Sequence, residues 1–146
     1  MLSKNLVMLR GRSGLSQEQL AEKLGISRQA YAKWERGDTV PDVEKCARLA
    51  ELYGVTLDAL VNFSAPAAAD VPPPPKGKFI FGTVTLSERG QIVIPKAARE
   101  VFALRPGERL VVLGDIEQGI ALTKAESFFA QTRQLVALAE ISADEE

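Results

Sequence analysis

With 146 residues, 46% apolar and 25% charged, the chain is long enough for two small globular units and too apolar to be a disordered polymer. It has no histidine and one cysteine, Cys46. That excludes an internal disulfide, the common zinc-ligand sets and the commonest general base, so neither an enzyme nor a bound metal or cofactor is expected. No apolar stretch approaches the ~18 residues of a membrane span, and no basic segment with an apolar core opens the chain, so a cytoplasmic protein with no membrane contact is expected. The net charge of −1 is unevenly spread. Residues 1–62 carry nine Lys/Arg against eight Asp/Glu, residues 76–114 seven against three, and residues 115–146 two against seven.

Residues 1–63 read as helices throughout: Leu2 to Arg10, Gln17 to Leu24, Arg28 to Arg36, Val43 to Tyr53 and Leu57 to Val61. Ser16 with Gln19 forms a capping-box pattern, while Ser27 and Thr56 stand at N-cap positions and Gly25, Gly37 and Gly54 where helices should stop. In the fourth helix Val43, Cys46, Ala47, Ala50 and Tyr53 recur at helical spacing, which predicts a packing face and a structural thiol.

The stretch from Ser16 to Gly37 sets two short helices around a Gly25-Ile26 turn. Leu20, Leu24, Ile26, Tyr31 and Trp34 supply apolar flanks, and Ala21 is small enough for a close crossing. Outward are Ser27, Arg28, Gln29, Ala32 and Lys33. Arginine matches guanine O6 and N7, glutamine matches adenine N6 and N7, and serine or lysine reaches base edges or phosphates, so this face suits a DNA major groove. The chain here resembles the Cro-type (XRE, lambda-repressor-like) helix-turn-helix family. The likeness runs from about Asn5 to Val61 through Gly14-Leu-Ser-Gln-Glu-Gln-Leu-Ala, Leu24-Gly-Ile-Ser, Trp34-Glu-Arg-Gly, Pro41 and Gly54-Val-Thr-Leu-Asp-Ala-Leu60. It implies that Gln17 contacts a phosphate or braces the recognition helix, that Ser27, Arg28, Gln29 and Lys33 face the groove of double-stranded DNA, and that Arg10 pairs with Glu35 close to the DNA backbone. Tyr31 departs from the family's usual aliphatic residue, and two placements are open: a hydroxyl at the DNA interface or a ring in the core.

Residues 64–78 are small residues followed by consecutive prolines, which sustain neither helix nor paired strand. This predicts a linker, stiffened at Pro72–Pro75, that holds two domains apart and relaxes the ~34 Å half-site spacing demanded of rigid repressors.

From residue 79 the period becomes alternating, with strands predicted over Phe79–Leu86, Gln91–Ile94, Arg109–Leu113 and Ile120–Thr123, and a short helix from Pro95 to Phe102. A domain of ~50 residues buries too little surface to be comfortably stable, so sharing strands with a second copy is a sensible remedy. The run Val84-Thr-Leu-Ser-Glu-Arg-Gly-Gln-Ile-Val-Ile-Pro-Lys-Ala-Ala-Arg-Glu-Val-Phe, followed by Leu104-Arg-Pro-Gly-Glu-Arg-Leu-Val-Val, resembles the AbrB/SpoVT swapped-hairpin family. That likeness implies an obligate homodimer whose hairpins interleave in one barrel, and it nominates Arg89, Lys96 and Arg99 as a second set of DNA contacts. Gln91 and Glu100 stand where AbrB has arginines, which leaves open a module that only dimerises.

The expected architecture is thus two domains: an all-α five-helix lambda-repressor-like DNA-binding domain (1–63), and after the linker a small β-rich swapped-hairpin AbrB-like barrel (79–126) with a C-terminal helix and acidic tail (127–146). In that helix Phe128, Phe129, Leu135, Val136, Leu138 and Ala139 fall near helical spacing. The function expected is a sequence-specific, nucleoid-associated transcription regulator. The alternative is an antitoxin that binds its own operator and takes a toxin as protein partner at the C-terminal helix.

Overall fold

In a computed structural model of the chain, residues 1–66 and 70–143 are described, with side chains given as far as residue 134. Two compact units are present, Met1–Thr85 and Leu86–Glu146. Among the described residues no helix is long and apolar enough to cross a membrane.

The first unit contains α1 (Leu2–Ser13), α2 (Gln17–Leu24), α3 (Arg28–Arg36), α4 (Val43–Tyr53) and α5 (Leu57–Asn62). Local chemistry sets these limits. Ser16 and Gln19 complete a capping box at α2, and the side chains of Ser27, Asp42 and Thr56 accept backbone N–H bonds at the starts of α3, α4 and α5. Helices α1 to α4 each stop at a left-handed glycine, a conformation that costs a residue with a Cβ ~1–2 kcal/mol. Helix α1 continues past Arg10 to Ser13 because Gly14, with φ 68°, is its stop.

Leu6, Leu20, Leu24, Tyr31, Leu49 and Leu60 are fully buried and anchor one core, joined by Leu9, Trp34, Cys46, Ala50 and Val55. Each large side chain withdrawn from water contributes ~1.5–3 kcal/mol. The α4 stripe is Cys46, Leu49, Ala50 and Tyr53; Leu49 joins it, and Val43 and Ala47, expected to pack, are exposed. Val43 lies in the first turn with 77% of its surface open. Burial pushes the Cys46 thiol up from its ordinary pKa, which keeps it unreactive. Beyond α5 the chain stays against the helices: Pro73 is fully buried and the Lys76 N–H donates to the Gly54 carbonyl at 2.8 Å.

In the second unit α6 (Lys96–Val101) precedes an antiparallel hairpin, β1 (Leu110–Asp115) and β2 (Gly119–Lys124), and α7 (Ala125–Ala143). The register pairs Leu110 with Lys124 and Asp115 with Gly119. Asp115 Oδ1 accepts the Glu117 and Gln118 N–H groups and closes the turn. The strands expected over 79–86 and 91–94 are not formed, and among the described residues no barrel closes. The turn between them does form, with Ser87 N–H donating to the Gln91 carbonyl and Gly90 at φ 74°. An extended segment becomes a strand only when another strand satisfies its ladder, and none among the described residues does so here. Leu135, Val136, Leu138 and Ala139 of the expected apolar face, and the acidic end 144–146, lie outside the described side chains.

Asn5 is the buried polar residue of the core, and its Nδ2 donates to the carbonyls of Leu60 and Phe63, both at 3.0 Å. It therefore ties α1 to the end of α5. Replacing Asn5→Ala should leave two carbonyls short of a donor and cost about 1–3 kcal/mol, read as a lower urea midpoint with an unchanged slope.

Candidate nucleic-acid interface

Helix α3 is held from its inner side and left open on its outer side. The hold centres on Glu35, whose side chain is 6% exposed. Arg10 of α1 grips it with two bonds, Nε to Oε1 at 2.6 Å and Nη2 to Oε2 at 3.2 Å, and Gln17 of α2 donates Nε2 to Oε2 at 2.7 Å. One carboxylate thus accepts from two other helices. The hydrogen bond to Glu35 raises the Arg10 pKa further, so the guanidinium stays charged at any accessible pH. Losing one partner of so enclosed a pair would strand the other without solvation.

On the same helix Tyr31 is fully buried, its ring edge-on to Trp34 at 5.9 Å and its hydroxyl 2.8 Å from that of Tyr53 on α4. The structure corrects the placement of Tyr31 at a DNA interface: its hydroxyl is consumed inside the protein. Burial pushes both phenols up, Tyr53 to about 12.

The outer side carries Ser27, Arg28, Gln29 and Lys33, all exposed. Gln29 and Lys33, four residues apart, share one face. Ser27 Oγ accepts the Ala30 N–H at 3.1 Å, so its own proton remains to be donated outward. No hydrogen bond or ion pair ties Arg28, Gln29 or Lys33 to another side chain among the described residues.

The sequence of this unit, and part of that of the second, matches known families and proteins. A family profile described as Helix-turn-helix covers residues 6–60, and one described as Antidote-toxin recognition MazE, bacterial antitoxin, covers residues 83–128. The HTH-type transcriptional activator BcrR of Enterococcus faecalis is 40% identical over 60 residues, which are 41% of this chain and 29% of BcrR. The cryptic phage CTXphi transcriptional repressor RstR of Vibrio cholerae is 34% identical over 64 residues, 44% of this chain and 58% of RstR. The match to the uncharacterized HTH-type transcriptional regulator YgzD of Bacillus subtilis is 36% over 50 residues, 34% of this chain but 76% of YgzD. The chain belongs to the helix-turn-helix family. It spans less than two thirds of the length of BcrR and RstR.

In this helix-turn-helix protein the other nominated residues lie in the second unit. Arg89 is exposed in the Ser87–Gln91 turn, while Lys96 and Arg99 are exposed on α6. Lys96 Nζ stands 3.6 Å from Glu100 Oε1, an exposed pair of consecutive helical turns. The residues that sequence reasoning missed are those whose partners are remote. Asn5 had a visible signal, a polar side chain in the apolar stripe Leu2, Leu6, Leu9. The Tyr31–Tyr53 pair, 22 residues apart, had none.

The tyrosine pair yields a pH dependence. An unfolded tyrosine ionises near pH 10, whereas Tyr53 in the folded unit stays neutral to about pH 12. Between these values the unfolded chain sheds a proton that the folded one keeps, so stability present below pH 10 should be lost as pH rises. Thermal melts from pH 9 to 12 should show that fall, and the Tyr53→Phe variant should show a shallower one.

Proposed function

We propose that this chain is a dimeric, sequence-specific transcription regulator that reads the major groove of double-stranded DNA with α3. The observation that carries the reading is the asymmetry of α3, whose aromatic and acidic flank is locked into the protein while Ser27, Arg28, Gln29 and Lys33 stay solvated and unpaired. Arg28 and Gln29 are the base readers, since each offers a two-point match to a purine edge. Lys33 and the Ser27 hydroxyl reach phosphates or base edges. Gln17 acts as the brace, because its amide is engaged by Glu35, and its remaining N–H faces a phosphate oxygen. Arg10 orders Glu35 and adds positive potential near the backbone. The protein works in the cytoplasm on the nucleoid.

Arg28→Ala or Gln29→Ala should cost about 1–3 kcal/mol at particular base pairs, whereas Gln17→Ala should weaken binding evenly. Titration of the purified variants against DNA fragments selected by the intact protein checks this, and an equal loss on every sequence would sink the assignment of the two readers.

The second unit supplies the dimer. Among its described residues only Ala98 and Ala125 are buried apolar side chains, which is no core for a separate domain. Meanwhile Val112 and Leu122 are direct cross-strand partners on one hairpin face, and with Ile120 they stand 65%, 44% and 79% exposed. Ile92 and Val93, on the unpaired extended segment, are exposed as well. A second copy covers these faces and satisfies the unpaired backbone in one step. Arg89, Lys96 and Arg99 belong to this dimer module, with Lys96 engaged by Glu100. Sedimentation should show dimers wherever the second unit is folded, and Val112→Lys should shift the mass to monomer while the helical unit stays folded.

The likeness of residues 83–128 to the MazE antitoxin profile supports a second reading, an antitoxin whose C-terminal region also holds a toxin. A small toxin reading frame beside the gene favours that reading, and its absence favours the regulator alone.

A further inference from the structure

The stretch between the two sequence-defined domains is proline-rich, yet it is fastened to the helical unit at successive points. Asp70 Oδ1 lies 3.2 Å from Lys4 Nζ, an exposed and therefore weak contact. Pro73 is fully buried. The Lys76 N–H donates to the carbonyl of Gly54, the residue that ends α4, at 2.8 Å. A turn then follows, with Lys78 N–H on the Pro75 carbonyl at 2.9 Å and Gly77 at φ 82°. It brings Phe79 and Phe81, stacked at 5.5 Å, to line a shallow pocket with Pro75, Ala59 and Phe63 of the α5 region. Consecutive prolines have little conformational freedom to lose, so fastening them costs less entropy than fastening an ordinary loop.

We infer that residues 70–81 are a strap belonging to the DNA-binding unit, and that this strap limits the operator spacing the dimer can span. The inference rests on the reading under Proposed function. With the strap fastened through Phe81, at most Gly82–Thr85, four residues that reach ~14 Å when extended, remain before the second unit begins at Leu86. The same chain with residues 64–78 free would add ~50 Å of reach per head. Gly82, at φ 94°, opens this stretch. Spacing selectivity is therefore built into the protein, because effective concentration falls to nothing once a connection cannot span its sites.

Two measurements on the full-length protein test the strap. By hydrogen exchange the Lys76 amide should be protected about tenfold or more relative to the Pro73→Asp variant, which places a charge in the buried position and releases the segment. Equal exchange in both proteins would overturn the strap without reference to DNA. Binding is then measured to fragments carrying two copies of the selected half-site at stepped spacings, and to one half-site alone. The wild type should lose about tenfold or more when the spacing leaves its optimum by several base pairs, while Pro73→Asp, or a Gly-Ser insertion after Gly82 that leaves the strap intact, should flatten the profile. A flat wild-type profile with normal single half-site binding overturns the strap alone. Absence of binding to the single half-site overturns the reading it rests on.

Discussion

A single carboxylate holds α3 in register. Glu35 sits nearly out of solvent at the C-terminal half of α3 and takes donors from Arg10 on α1 and Gln17 on α2. Apolar contacts alone would let a nine-residue helix slide or roll by fractions of an ångström at little cost, because they are not directional. Three N–H donors converging on two oxygens fix both its azimuth and its height. The phenol pair adds a fourth directional contact from α4, one turn earlier on the same helix. Groove recognition demands that kind of placement, since a bidentate match to a purine edge tolerates little misalignment.

The inner and outer sides of α3 therefore have opposite chemistry for connected reasons. Polar groups that the protein uses to position the helix are spent on one another, which is why Arg10, Gln17 and Tyr31 are engaged. Arg28, Gln29 and Lys33, on the outer side, carry no side-chain hydrogen bond or ion pair among the described residues. Ser27 belongs to both sets, its oxygen capping α3 while its proton remains available.

Much of the helical unit was legible in the sequence because its limits are set within a few residues. Ser16, Ser27 and Thr56 cap where their positions predict, and α2, α3 and α4 begin and end as the capping and glycine pattern requires. What escaped depended on distant partners. The phenol of Tyr31 could point either way until Tyr53 was placed beside it, and the exposure of Val43 depended on whether anything covers the first turn of α4. The segments 79–86 and 91–94 have a strand's alternation but no strand's pairing, since periodicity reports which sides are apolar and not what lies alongside. The proline run shows the same limit: its composition dictated an extended backbone, while the burial of Pro73 depended on helices far away in sequence.

The scarcity of buried apolar side chains among the described residues of the second unit bears on how the protein matures in the cell. On the dimeric reading proposed above, the helical unit closes around its own leucines, whereas the hairpin unit, with two alanines buried among its described side chains, completes its core on meeting another chain. Abundance enters twice on that reading, once in forming the pair and once in occupying DNA. Scarce chains would then stay half-folded and open to proteolysis, and output would respond to expression as a threshold and not in simple proportion.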